Sequence, residues 1–213
     1  MAYVTVQHHG KAEIYIKKSR FVANVAPVQT EDDAWSFIKG IRAEYGDASH
    51  NCFAFKAGLV QRMSDDGEPS GTAGRPILDV LAKQGLSETV IVVTRYFGGT
   101  LLGSGGLVRA YGQAAVAGVE AAGVTIAVLA IDMAITLDYT LVGKVQHLLA
   151  QSRALTLDSQ FGQNITIACR VQAEAADDLE SALAEASAGR IRTERLAEIQ
   201  VDADLHPIHR QYV

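Results

Sequence analysis

Cysteine is scarce in this chain: only Cys52 and Cys169 occur, far apart and in different halves. A structural disulfide is therefore not expected, and the usage fits a reducing cytoplasm. Long apolar runs are also missing. None approaches the roughly 20 residues that a bilayer-crossing helix needs, so no membrane partner is expected, and Met1-Ala2-Tyr3-Val4-Thr5-Val6 is not the pattern of a signal peptide. A surplus of basic charge is absent too. Residues 1–124 carry 12 Lys/Arg and 12 Asp/Glu, and residues 125–213 carry 7 and 12. Neither half is the cationic module that coats nucleic acid non-specifically, although a local basic patch remains open. The metal signatures CxxC and HExxH do not occur, so no metal and no cofactor is expected. His8-His9 and His206-Pro207-Ile208-His209 lie at the chain ends and read as surface residues.

What the sequence does have is enough apolar material for two small domains, 48% of 213 residues. Residues 1–28 read as two extended segments, Ala12–Lys17 and Arg20–Pro27, about a polar turn at Lys18-Ser19. Thr30 caps a helix whose first turn holds Glu31, Asp32 and Asp33. Ala34, Phe37, Ile38, Ile41 and Tyr45 form its inner stripe, with Trp35 at the edge, and Gly46-Asp47 ends it. A strand over 48–57 puts His50 and Cys52 on one face. That pair suggests a nucleophile or a metal, but buried cysteine is commonly a small hydrophobe. A helix starts near Arg75 and stops at Gly85; another, Leu107–Ala122, is so rich in small residues that Gly112 and Gly118 read as close-packing positions. The chain then passes without a flexible linker into a second pattern, β-α-β-β-α-β: strand Leu129–Tyr139, a helix from Thr140, a hairpin of 154–161 and 164–172, an acid-rich helix 174–188 and strand Ile191–Val201. The expected division is 1–124 and 125–213, with nothing in the second part that points to catalysis. The acids over Asp177–Glu185 read as a solvated face.

The chemistry concentrates between Met63 and Tyr111. Asp65, Asp66, Glu68, Ser70, Gly71 and Thr72 crowd into one loop ahead of a helix that begins near Arg75. Such a loop buries little and costs conformational entropy. The β-branched run Thr89–Thr94 leads to a second loop, Arg95-Tyr96-Phe97-Gly98-Gly99 and Gly103-Ser104-Gly105-Gly106, followed by Arg109 in the next helix. Strand, glycine loop and helix N-terminus present backbone N–H groups to an anion. Both loops are expected to converge on one cleft for an anionic ligand, most plausibly a phosphate of RNA or of a nucleotide. Arg20 and His50 are candidate accessories. Three readings stay open: a phosphate or RNA site, catalysis on a phosphorylated small molecule by Asp65, Asp66 and Glu68, or a structural lock in which Asp and Ser side chains cap the two helix starts and Asp66 pairs with Arg75 or Arg95 to hold the loops in place. The glycine loop lacks the lysine of a P-loop.

Blocks Lys18-Ser19-Arg20-Phe21, His50-Asn51-Cys52-Phe53-Ala54, Asp65–Gly74 and Arg95–Gly106 together resemble the YigZ/IMPACT family, over about the first 120 residues. The remainder is similar to the small C-terminal domain of the bacterial members. The resemblance implies an α+β protein. Its N-terminal domain would be like the second domain of a small-subunit ribosomal protein, and its C-terminal domain ferredoxin-like and similar to the last domain of elongation factor G. Eukaryotic members regulate translation by binding a protein that activates a stress kinase. The implied function is a translation-linked regulatory or binding protein, with RNA, the ribosome or a translation-associated protein as partner. Alternatives are an enzyme acting on a phosphate-bearing small molecule and a protein-interaction regulator without a ligand site.

Overall fold

The computed structural model describes residues 2–208, which leaves His209 outside the described residues. Apart from the terminal residues, it divides into two compact units, Tyr3–Ile126 and Ala127–Pro207.

In the first unit, β2 (Gly10–Ile16), β3 (Ser19–Pro27), β4 (His50–Ala57), β5 (Val60–Ser64) and β6 (Thr89–Tyr96) form one sheet in the order β2-β3-β6-β4-β5. Every neighbouring pair is antiparallel. Helix α1 (Glu31–Glu44) lies on one face; α2 (Gly74–Lys83) and α3 (Ser104–Ala122) lie on the other. Covering both faces explains why β6 reads as a continuous apolar run, since each alternate residue enters a different core. Val90 and Val92 pack toward α1 with Phe53 and Phe55, while Ile91 and Val93 pack toward α2 and α3 with Phe21 and Tyr111. The N-terminus of α1 closes as its sequence implies: Thr30 Oγ1 accepts from the Asp33 N–H at 3.1 Å, and the Asp33 carboxylate accepts from the Thr30 N–H at 2.9 Å. Trp35 sits edge-on to Phe53 and Phe55 at the margin of that core.

Three details differ from the sequence reading. An extra strand, β1 (Tyr3–Val6), precedes β2 and bridges from Val4 to Leu86. The β2–β3 turn is at Lys17-Lys18 rather than Lys18-Ser19; both lysines take positive φ, 45° and 69°, which a two-residue hairpin turn requires. Of the two glycines taken for close packing in α3, only Gly118 has that role: a Cβ there would lie 2.7 Å from Val25 Cγ2 and 2.8 Å from Ala23 Cβ. Gly112 faces open space.

In the second unit, β7 (Val124–Leu137, beginning directly after Gly123), β8 (Leu155–Phe161), β9 (Ile165–Gln172) and β10 (Arg192–Val201) pair antiparallel in the order β10-β7-β9-β8, four of the five strands of their sheet. Helices α4 (Val142–Gln151) and α5 (Ala173–Ser187) supply the two crossovers, so the chain runs β-α-β-β-α-β with its first strand central, as the ferredoxin-like reading requires. Ile131, Met133, Ile135 and Leu137 face the helices with Ile165, Ile167, Cys169 and Val171. In α5 the fully buried positions are Ala176, Leu179, Leu183 and Ser187. The alternate residues of β7 point the other way, where Asp132 meets its register partner Arg170 through two bonds of 2.6 and 2.9 Å. Asp177 and Glu180 on the acid-rich helix both engage Arg195. Among the described residues no helix is long and apolar enough to cross a membrane.

Candidate functional site

The first loop begins where β5 ends and α2 starts. Its three acids do three different jobs. Asp65 turns back on its own chain: its carboxylate accepts from the N–H groups of Gly71 (2.8 Å), Ala73 (3.0 Å) and Gly74 (2.8 Å). Burial alone would push its carboxyl up, but these three donors hold it below the ordinary aspartate value. The N-terminus of α2 is thus filled by the protein's own anion. Asp66, at φ 43°, ties the loop to the rest of the unit. Its carboxylate accepts from Arg42 of α1 at 2.8 Å and from the Asn51 N–H at 2.7 Å, and its carbonyl lies 2.8 Å from His50 Nδ1. The pairing of Asp66 with Arg75 or Arg95 does not occur, because α1 brings Arg42 closer. Arg75 instead pairs with Asp79 one turn along α2, at 2.8 Å on the exposed surface.

Glu68 alone goes inward. It is 8% exposed, and its Oε1 accepts from Arg95 Nη1 at 2.6 Å and from Tyr111 Oη at 2.8 Å. Strand register explains the assembly, since Arg95 stands opposite Phe21 on β3 and His50 on β4. The guanidinium lies 5.5 Å from the Phe21 ring and 5.4 Å from that of Phe97, and Nη2 reaches Ser19 Oγ at 3.4 Å. His50 Nε2 is 3.8 Å from Glu68 Oε1. Because the Asp66 carbonyl can only accept, Nδ1 of His50 is the protonated nitrogen. Cys52 lies beneath, its Sγ 2.9 Å from the Asp65 carbonyl and 3.4 Å from Tyr111 Oη. Burial, helped by the charges of Glu68, Asp66 and Asp65, pushes the thiol up to about 12. Burial likewise raises the Tyr111 phenol. Cys52 is thus a buried, protonated thiol at neutral pH, packed as a small residue of the core.

Above this buried set opens a cleft of about 520 Å³, lined by Ser49, His50, Glu68, Pro69, Arg95, Phe97, Leu101, Leu102, Gly103, Ser104 and Leu107. The two loops thus share one cleft, but only some of the anticipated residues line it. Glu68, Arg95, Phe97, Gly103 and His50 do. Thr72 holds the first loop, donating to the Pro69 carbonyl at 2.6 Å; Ser70 and Gly71 are exposed at its top. Gly98 is packed against the β2–β3 turn, where a Cβ would fall 2.0 Å from the Lys18 carbonyl oxygen. Gly99 (φ 79°) lies in the bend that follows β6, and Gly105 and Gly106 form the first turn of α3. Tyr96 donates to Asp47 at 2.7 Å and lies under Arg20, which pairs with Glu13 at 2.7 Å; neither lines the cleft. Arg109 projects into a groove beside Pro76, Asp79 and Lys83 of α2. Sequence reasoning missed Leu101, Leu102, Leu107 and Ser104 on the walls, and Ser19 and Tyr111 beneath. Tyr111 lies one helical turn after Leu107, a spacing that does signal a shared face.

Residues 17–119, which include the whole cleft, match the Impact N-terminal domain, and residues 135–190 match a domain of unknown function (DUF1949). The IMPACT family member YvyE of Bacillus subtilis is 44% identical over 167 residues, spanning 77% of this chain and 77% of that protein. The chain belongs to the IMPACT family. An IMPACT family member of Haemophilus influenzae is 37% identical over 181 residues, or 83% of this chain and 88% of the relative. A solved structure described as that of an hypothetical protein superposes with a TM-score of 0.61 at 30% identity, covering 92% of this chain and 98% of its own.

As an IMPACT family protein, the chain carries its polar chemistry where the family match is. Asp65 and Asp66 are each engaged by donors of the protein itself, and Glu68 is bound to Arg95 and Tyr111. The three acids point in three directions and do not form one cation-holding set. Among the described residues no group of three or more His, Cys, Asp or Glu is placed to hold a metal. What the arrangement offers is a cleft with apolar walls, a charge-balanced floor and the N-terminus of α3 on one side.

Proposed function

We propose that this IMPACT family protein is a translation-linked regulator that works by binding, and that its N-terminal unit engages a translation-associated protein through the cleft between the two loops. Membership of the family supports the translation link. The observation that carries the binding reading is the cleft itself: Phe97 and Leu101 stand 48% and 83% exposed beside the buried Glu68–Arg95 pair. Exposed apolar side chains around a desolvated polar floor suit a protein segment. RNA is favoured less, because among the described residues the one guanidinium lining the cleft is matched by Glu68, and Arg75, Arg20 and Arg109 are placed elsewhere. Catalysis on a phosphorylated small molecule would need carboxylates free to hold a cation or take a proton, and Asp65 and Asp66 are engaged in the fold.

A cell-free translation reaction supplemented with purified protein tests the reading. Wild type should change output in a concentration-dependent way, and Phe97→Ala with Leu101→Asp should abolish the change while the melting temperature holds. An inert wild type, or cleft variants as active as wild type, would overturn it.

A further inference from the structure

The cleft has more specific chemistry than an apolar groove. Helix α3 begins at its edge with Gly103 (φ 71°) as N-cap; no side chain caps that end, and its first turn has no acidic residue. The first backbone bond there is from the Leu107 N–H to the Gly103 carbonyl at 2.9 Å, so the preceding N–H groups keep their donor capacity and the positive end of the dipole is unopposed. Two further observations concern residues that line the same cleft. Arg95, only 5% exposed, has a buried Nε with no hydrogen-bond partner. Glu68 uses Oε1 for both of its bonds, and its Oε2 accepts none from the described residues. Donors, a carboxylate oxygen and the Phe97, Leu101, Leu102 and Leu107 walls therefore converge on about 520 Å³, within the range of roughly 300–1,000 Å³ in which small ligand groups are held.

We infer that the cleft takes a free α-carboxylate carried next to an N–H donor on a residue with an apolar side chain. The carboxylate goes to the N-terminal turn of α3, the neighbouring N–H to Glu68 Oε2, and the side chain to the leucine wall. Backbone N–H groups at a helix start capture terminal carboxylates in other recognition modes. Glu68 sets this ligand apart from a plain anion: with Arg95 neutralised, a phosphate would face a carboxylate and gain little, whereas a group with both an acceptor and a donor satisfies both sides. Two sources share this chemistry, a free amino acid and the C-terminal residue of a chain. The inference rests on the cleft being the working surface, and it names what enters.

Calorimetry on the full chain decides it, with leucine, leucinamide, and an N-acetylated tripeptide ending in leucine as the free acid and as the amide. The free acids should bind at least tenfold more tightly than their amides. Binding of the acetylated tripeptide alone identifies a chain terminus as the source; equal binding of leucine identifies the amino acid. Ser104→Glu, which puts a carboxylate of the protein at the helix start, should abolish binding with no loss of melting temperature. Acid and amide forms binding alike, or no free acid binding at millimolar concentration, would overturn the inference. The translation assay reads the parent proposal separately: cleft-dependent regulation without carboxylate binding leaves that proposal standing and removes this one, and carboxylate binding without any effect on translation does the reverse.

Discussion

Two glycine-rich loops in the same unit each lead into a helix, and their N-termini have opposite fates. At α2 the chain supplies its own anion, with three N–H groups converging on Asp65. At α3 no side chain caps the end and no acid stands in the first turn, and the helix start opens on the cleft. The same local pattern is therefore a structural lock in one place and a receptive surface in the other. What separates them is whether a carboxylate of the protein reaches the donors. Asp65 reaches because β5 pairs back on β4 and sets the first loop directly over α2; the residues before α3, Phe97 to Leu102, contain no acid that could do likewise.

Substitutions at the two ends sharpen the contrast. The largest effect is expected below both loops. Arg95→Ala leaves Glu68 buried without its counter-charge and should cost about 3–5 kcal/mol in urea unfolding. Arg75→Ala, which removes only an exposed one-turn ion pair, should change stability by about 0–1 kcal/mol. Equal losses would mean that the Glu68–Arg95 pair is not the keystone of the fold described above.

Next comes the locked end. Asp65→Ala deprives α2 of its cap and should cost about 1–2 kcal/mol. Because the folded carboxyl lies below its unfolded value of about 3.9, this contribution is fully present above the unfolded value and is lost as pH falls through the folded one. The gap between wild type and Asp65→Ala should therefore be constant from pH 6 to 8 and should narrow on acidification below about pH 4. A gap that widens in acid would contradict the capping role.

The smallest effect has the opposite sign. Ser104→Glu adds to α3 the charge that Asp65 gives to α2, and should stabilise by about 0.3–1 kcal/mol. A clear destabilisation would show that the α3 end is already satisfied by groups of the protein.

Much of this architecture is legible in the sequence because it depends on local signals. Thr30 with its following acids marks α1, and the β-branched run 89–94 marks a strand buried on both faces. The order of elements after Gly123 is enough for the β-α-β-β-α-β pattern. An aspartate capping a helix start is anticipated, and Asp65 does so at α2 through N–H groups 6 to 9 residues away. Which acid takes which role is not legible, since Asp66 and Glu68 look alike in the sequence and differ in which distant group meets them. Arg42 is 24 residues from Asp66, and Tyr111 is 43 from Glu68. Nor could spacing distinguish Arg95, drawn inward by register with Phe21 and His50, from Arg75 and Arg109 on outward helical positions. The leucine wall is illegible for a different reason: Leu101 and Leu102 stand between glycines with no helical or strand period to give them a face, and only the fold places them at a rim.

The most direct test of the contrast between the two helix starts is the action of Ser104→Glu in cell-free translation, measured beside wild type at matched concentration and with melting temperatures recorded. If the α3 end is the working surface, the variant should be at least as stable as wild type and have no effect on translation. A variant that regulates as well as wild type would contradict the account, because the end left open by the fold would then have no part in the function.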